Sequence, residues 1–136
     1  MQRDYILRLI EEAGAILRLA LAGIIDRKSK RPASLAQLKQ ATQLGNLDMD
    51  LLRVLDANTV RAMVTQGWSD PARIWLAAEA LYIDGLSARM EEGPEAGRPS
   101  LTKALMLFRM VGSGGNIPAG FPEATERARE IEELLS

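Results

Sequence analysis

The 136-residue chain contains no histidine and no cysteine. Imidazole and thiolate supply most protein metal sites and most nucleophile–base pairs that work near neutral pH. Their absence removes zinc-type centres, disulfide scaffolds and every triad or dyad built on either side chain. Aromatic residues make up only 4% of the chain. No stretch alternates apolar with polar residues, so half-buried strands are not indicated. An excess of either charge is also missing: 17 lysines and arginines face 18 aspartates and glutamates, a net charge of −1. A nucleic-acid-binding domain shows a basic excess on one face, so no nucleic-acid partner is expected. The basic run Arg27-Lys28-Ser29-Lys30-Arg31 reads as charge complementing a helix C-terminus.

Long hydrophobic runs are lacking as well. The most apolar stretch, AGAILRLALAGII over 13–25, is interrupted by Arg18 and is shorter than the ~20 residues of a membrane span. It has the look of a secretory h-region, and Ala20-Leu21-Ala22 has the A-x-A form of a cleavage site. Glu11 and Glu12, however, stand where a leader carries positive charge. A folded first helix, no membrane partner and a cytoplasmic location are expected.

What is present is a helix-forming composition, 47% apolar and 26% charged. Such a chain folds. At this length one domain buries roughly two-thirds of the surface its unfolded chain exposes. The expectation is a single all-α domain over 1–136, of about six helices packed as antiparallel hairpins. Its N-terminal helices fill 3–66 and its helical hairpins 70–135.

The first helix is expected from about residue 3 or 4 to 28. At 100° per residue, Asp4, Arg8, Glu11, Glu12, Ala15, Arg18, Ala22 and Asp26 gather on one stripe, and most of the remainder is apolar. A surface helix needs a narrower apolar side. This helix is therefore either central in the fold or buried on a second side against another subunit. Pro32 is expected to stop further helix, and Ser34 to cap a second helix ending at 43 or 44, with Gln37 as capping-box partner. A third helix starts at Asp48 or Asp50 and continues unbroken to about 66. Asp70-Pro71 is a strong start for a fourth helix reaching about 90. Gly93, Pro94, Gly97 and Pro99 predict a loop over 91–99, followed by a fifth helix from Ser100 to about 111. A last helix runs from 122 or 123 to 135.

Trp75, Ala78 and Tyr82 fall on the W-x2-L-G-x2-Y spacing of a tetratricopeptide first helix, and Ala104 and Phe108 on the A-x3-F of the second. The region over 71–120 thus resembles a degenerate tetratricopeptide unit, with Pro118 near the closing proline. It departs from the pattern at Ala78 and Glu79, and in the length of the expected inter-helix loop. An ordinary antiparallel bundle is the alternative. The opening residues Met1-Gln2-Arg3-Asp4-Tyr5-Ile6-Leu7-Arg8, followed by Ile10-Glu11, resemble a small bacterial family of unknown function. Its members start with an Asp-Tyr-Ile/Leu helix and continue into tetratricopeptide-like helices. That resemblance implies a helical scaffold and carries no catalytic residue.

Chemistry is thinly supplied. The acidic groups Glu11/Glu12, Asp48/Asp50, Glu91/Glu92 and Glu126 to Glu133 lack the histidines of a di-metal bundle and the ligand spacing of a calcium loop. Gly112-Ser113-Gly114-Gly115 lacks the Lys-Ser/Thr of a phosphate loop and reads as a flexible break. If Glu79 and Asp84 on the fourth helix both point inward they form a polar site with Arg73, Arg109 or Lys103; a surface or inter-helix ion pair is the preferred reading. Trp75, Tyr82 and Phe108 read as core anchors. No catalytic residue, metal or cofactor is expected. The leading reading is a non-enzymatic scaffold or adaptor that binds a protein or peptide and forms a homodimer. Leu7, Leu21, Ile25 and Trp68 are its candidate interaction surface. Two alternatives are a small-ligand sensor using the segment from Met106 to Met110, and an enzyme with a carboxylate site.

Overall fold

The computed structural model describes residues 2–67, 70–112 and 117–136, with side chains from residue 5 onward. Among these residues the fold is all-α, with seven helices and no strand. They are α1 (Gln2–Ile25), α2 (Arg31–Leu44), α3 (Met49–Val54), α4 (Ala57–Gly67), α5 (Pro71–Glu92), α6 (Pro94–Val111) and α7 (Ala124–Leu135).

The innermost element is α5. Asp70 accepts from the Ala72 amide at 2.9 Å and Pro71 occupies the first turn. This is the start expected of a capping acid followed by a residue with no N–H to lose. From Ile74 to Gly85 every residue is buried, because α1, α2, α3 and α6 pack against α5. Trp75, Leu76, Leu81 and Ile83 lie in the core with Leu17 of α1, Leu38 of α2, Leu52 of α3, Leu107 and Phe108 of α6, and Ile131 of α7.

The expectation of a loop over 91–99 is corrected: the chain turns at Gly93 alone, φ 100°, and is helical again from Pro94. Pro94 falls in the first turn, where an amide hydrogen has no intrahelical partner to lose. Pro99 removes one rung of the ladder. Gly97 is required by contact rather than by flexibility, since a Cβ there would collide with the Gly85 carbonyl. The same tight approach gives α5 and α6 their long shared interface.

Further boundaries differ from expectation, and α1 ends at Ile25 rather than near 28. Pro32 lies inside the first turn of α2 and does not stop the helix. Ser34 is no cap; its hydroxyl donates to the Arg31 carbonyl at 3.0 Å and meets the Ser87 hydroxyl at 3.2 Å. The first amide of α2 is served instead by Glu91, whose carboxylate accepts from the Arg31 N–H at 3.0 and 3.2 Å. The expected third helix is two helices. Leu55 is extended, at φ −73° and ψ 146°, and Asp56 caps α4 by accepting from the Thr59 amide at 2.7 Å. No helix among the described residues is long and apolar enough to cross a membrane.

Candidate functional site

The polar chemistry of the molecule is concentrated around α5, on two sides. Glu79 and Asp84 are five residues apart, so they point about 140° from each other around the helix. Glu79 is 1% exposed. Arg127 of α7 grips it with two hydrogen bonds, Nε to Oε1 at 2.9 Å and Nη2 to Oε2 at 2.7 Å. The same guanidinium donates to Glu130 at 3.0 Å and lies 4.2 Å from the centre of the Tyr82 ring. Tyr82 donates its hydroxyl to Glu130 at 3.1 Å. Burial pushes the Glu79 carboxyl up from its ordinary range, against the pull of Arg127. Burial also pushes the Tyr82 phenol up to about 12, reinforced by Glu130 and opposed by Arg127. Burial disfavours the charge on Arg127, but the hydrogen bonds to Glu79 outweigh it and hold the guanidinium above its ordinary value.

On the other side, Asp84 accepts from Arg31 Nη1 at 2.8 Å and from the Ser100 hydroxyl at 2.7 Å, with Arg53 Nε at 3.4 Å. One carboxylate thus joins α2, α3, α5 and α6. Beside it, Lys103 donates from Nζ to the carbonyls of Leu52, Arg53 and Leu55 at 2.7, 2.8 and 3.0 Å. The ammonium satisfies carbonyls that the end of α3 leaves without helical partners. Burial holds its pKa below the ordinary lysine value. Both acids form the inter-helix ion pairs expected, but with other cations than those named: Arg127 pairs with Glu79, and Arg31 and Arg53 pair with Asp84. Arg73 reaches the Gly45 and Asn46 carbonyls, and Arg109 pairs with Glu132 at 2.8 Å. Among the described residues, no three or more aspartates and glutamates stand together as metal ligands.

These clusters tie helices together. The surface with a different character is α1. One side of it, carrying Ile10, Ala13, Leu17, Ala20 and Ile24, is buried. One flank is covered by the 117–122 segment. There Pro118 and Phe121 pack on Gly14, Arg18 donates to the Ala119 carbonyl and stacks 4.8 Å from the centre of the Phe121 ring, and Phe121 meets Trp75 edge-on at 5.0 Å. The outward side carries Arg8, Glu12, Ala15, Leu19 and Ala22, with Asp26 directly after the last turn, all exposed. Leu19 lies within this polar stripe at 67% exposure.

Of the four residues expected to form an interaction surface, Leu7, Leu21 and Ile25 are described and all lie on α1. Leu7 is half-buried and lines a groove of about 300 Å³ with Ile117 and Pro118. Leu21 is half-buried against the core. Ile25 is 62% exposed at the far end of α1. Trp68 lies outside the described residues, as does the Ser113 to Asn116 part of the glycine-rich break. Met106 and Met110, the candidate ligand contacts, pack half-buried against the core. Leu19, which the sequence reading did not single out, lies four residues after Ala15 and three before Ala22. Compared with known proteins, the chain matches no family model, no curated protein and no solved structure.

Proposed function

We propose that this chain is a non-enzymatic helical scaffold that binds a protein or peptide across the outward side of α1. The observation that carries the reading is Leu19. A single exposed leucine is ordinary, but this one stands between Ala15 and Ala22, whose small side chains let another backbone come close. Tyr5, 62% exposed, adjoins the stripe. The buried acids support a structural role for the interior, because Glu79 and Asp84 are each closed off by arginine. The α5–α6 hairpin supports the tetratricopeptide-like alternative to a plain bundle. Trp75, Ala78, Tyr82, Ala104 and Phe108 are all buried, and a single glycine connects the helices. Stacked helical hairpins of that kind present extended binding surfaces.

The test compares the wild-type chain with Leu19→Asp, each immobilised and exposed to extract from its own source. Melting temperatures serve as the folding control. A stoichiometric partner held by the wild type and lost from the variant is expected. Equal recovery by both forms, or recovery by neither, refutes docking of a foreign partner on α1.

A further inference from the structure

We infer that the occupant of the α1 stripe is a second copy of this chain, with the two α1 helices packed antiparallel. The inference rests on the scaffold reading above and names its partner. Its basis is the arrangement of charge and size along the exposed stripe. Arg8 and Asp26 are eighteen positions apart, five turns of helix or about 27 Å; Asp26 is the first residue past α1 and its amide still donates to the Ala22 carbonyl at 2.9 Å, so the two point in nearly the same direction. Ala15, Leu19 and Ala22 lie between them within about 40° of that direction. The stripe therefore has a cation at one end, an anion at the other, and a leucine among alanines in the middle.

A two-fold axis at the level of Leu17 turns this order into a match. It sets Arg8 against Asp26 of the second copy at both ends. It sets Ala15 against Leu19 of the second copy, twice, so each leucine falls beside an alanine. Such a patch is self-complementary in the way an isologous interface requires. The parallel arrangement sets arginine against arginine and aspartate against aspartate, and is disfavoured. A seam one helix wide is smaller than the ~800 Å² per partner of a standard interface. Pairing is thus weak, with a dissociation constant of about tens of micromolar or higher. Exposed ion pairs add little affinity but choose the orientation.

The experiment is sedimentation velocity on the full chain over a wide concentration range at low salt. The wild type is expected to shift from monomer towards dimer, and less so at high salt. Arg8→Asp sets acid against acid at both junctions, and Asp26→Arg sets base against base. Each alone is expected to raise the dissociation constant about tenfold or more. An equimolar mixture of the two variants restores opposite charges at both junctions and is expected to recover pairing as a mixed dimer. Both positions are exposed, and the melting temperature of each variant serves as the folding control. A chain that stays monomeric throughout overturns the inference, as does a dimer equally strong in both variants. If a monomeric chain still holds a foreign partner in a Leu19-dependent way, this inference falls and the scaffold reading stands. If no such partner is found either, both fall.

Discussion

The two long helices, α1 with 24 residues and α5 with 22, make an instructive pair. By residue type α1 looks the deeper, with a stripe of polar residues covering only part of its circumference. α5 carries Arg73, Glu79, Asp84 and Arg89 along its length. The structure reverses that order. α5 is surrounded, and α1 keeps a whole side in water with Tyr5, Leu19 and Ile25 exposed. Depth is set by how many neighbours the topology places around a helix, and α5 has four in close contact. A helix in that position can carry acids inward, provided other elements bring the arginines. α7 does so for Glu79, and α2 and α3 do so for Asp84.

The comparison breaks most visibly at Arg127. Its replacement by methionine leaves Glu79 buried and unpaired, a loss of about 3–5 kcal/mol. Urea unfolding midpoints measure it. The double substitution Glu79→Leu with Arg127→Met is expected to regain most of that loss, since a well-packed apolar pair can replace a buried ion pair.

Tyr82 gives the next effect, and a pH signature. Its phenol ionises near 10.0 when free of the fold and at about 12 within it. The folded state therefore holds the proton longer. The resulting stabilisation is present below pH 10 and is lost as pH rises from 10 to 12. Two units correspond to about 2–3 kcal/mol. Unfolding measured at both ends of that range should show the wild type losing about this much more than Tyr82→Phe.

Lys103→Met leaves the carbonyls at the end of α3 without their ammonium. An expected cost of about 2 kcal/mol follows, read from the unfolding midpoint. Amide exchange should accelerate first in α3 and at the start of α4. Leu19→Asp has the smallest effect on stability, within about 0.5 kcal/mol, because the residue is 67% exposed. A large loss of stability in that variant would show that the outer side of α1 is already in use within the fold.

Much of the architecture was legible in local sequence. Asp70-Pro71 marked the start of α5 because the cap and the proline act within one turn. The all-α class followed from helix-forming residues and the missing alternation. What was not legible depends on partners distant in the chain. Gly97 and Pro99 read as helix breakers until Gly85 is seen pressed against the same turn. Pro32 read as a stop because the carboxylate serving the α2 N-terminus comes from Glu91, sixty residues away. The interruption at Leu55 had a visible local signal in Asp56 and Thr59, three residues apart as cap and acceptor-seeking amide. The continuous apolar spacing of Leu51, Leu52, Leu55, Val60 and Val64 masked it. At the candidate site, sequence placed the polar stripe of α1 correctly on the outside. It singled out Leu7, which lines a groove with Ile117 and Pro118, and Leu21, which packs against the core, and did not single out the exposed Leu19.

The most direct test of this contrast is amide hydrogen exchange followed along the whole chain at a low and a high protein concentration. The slowest amides are predicted in the middle of α5, with rates independent of concentration. Those of α1 are predicted to exchange faster at low concentration and to slow as concentration rises. If α1 is as protected as α5 in the dilute sample, with no change on concentrating, then its outward side is not a docking surface and the account fails.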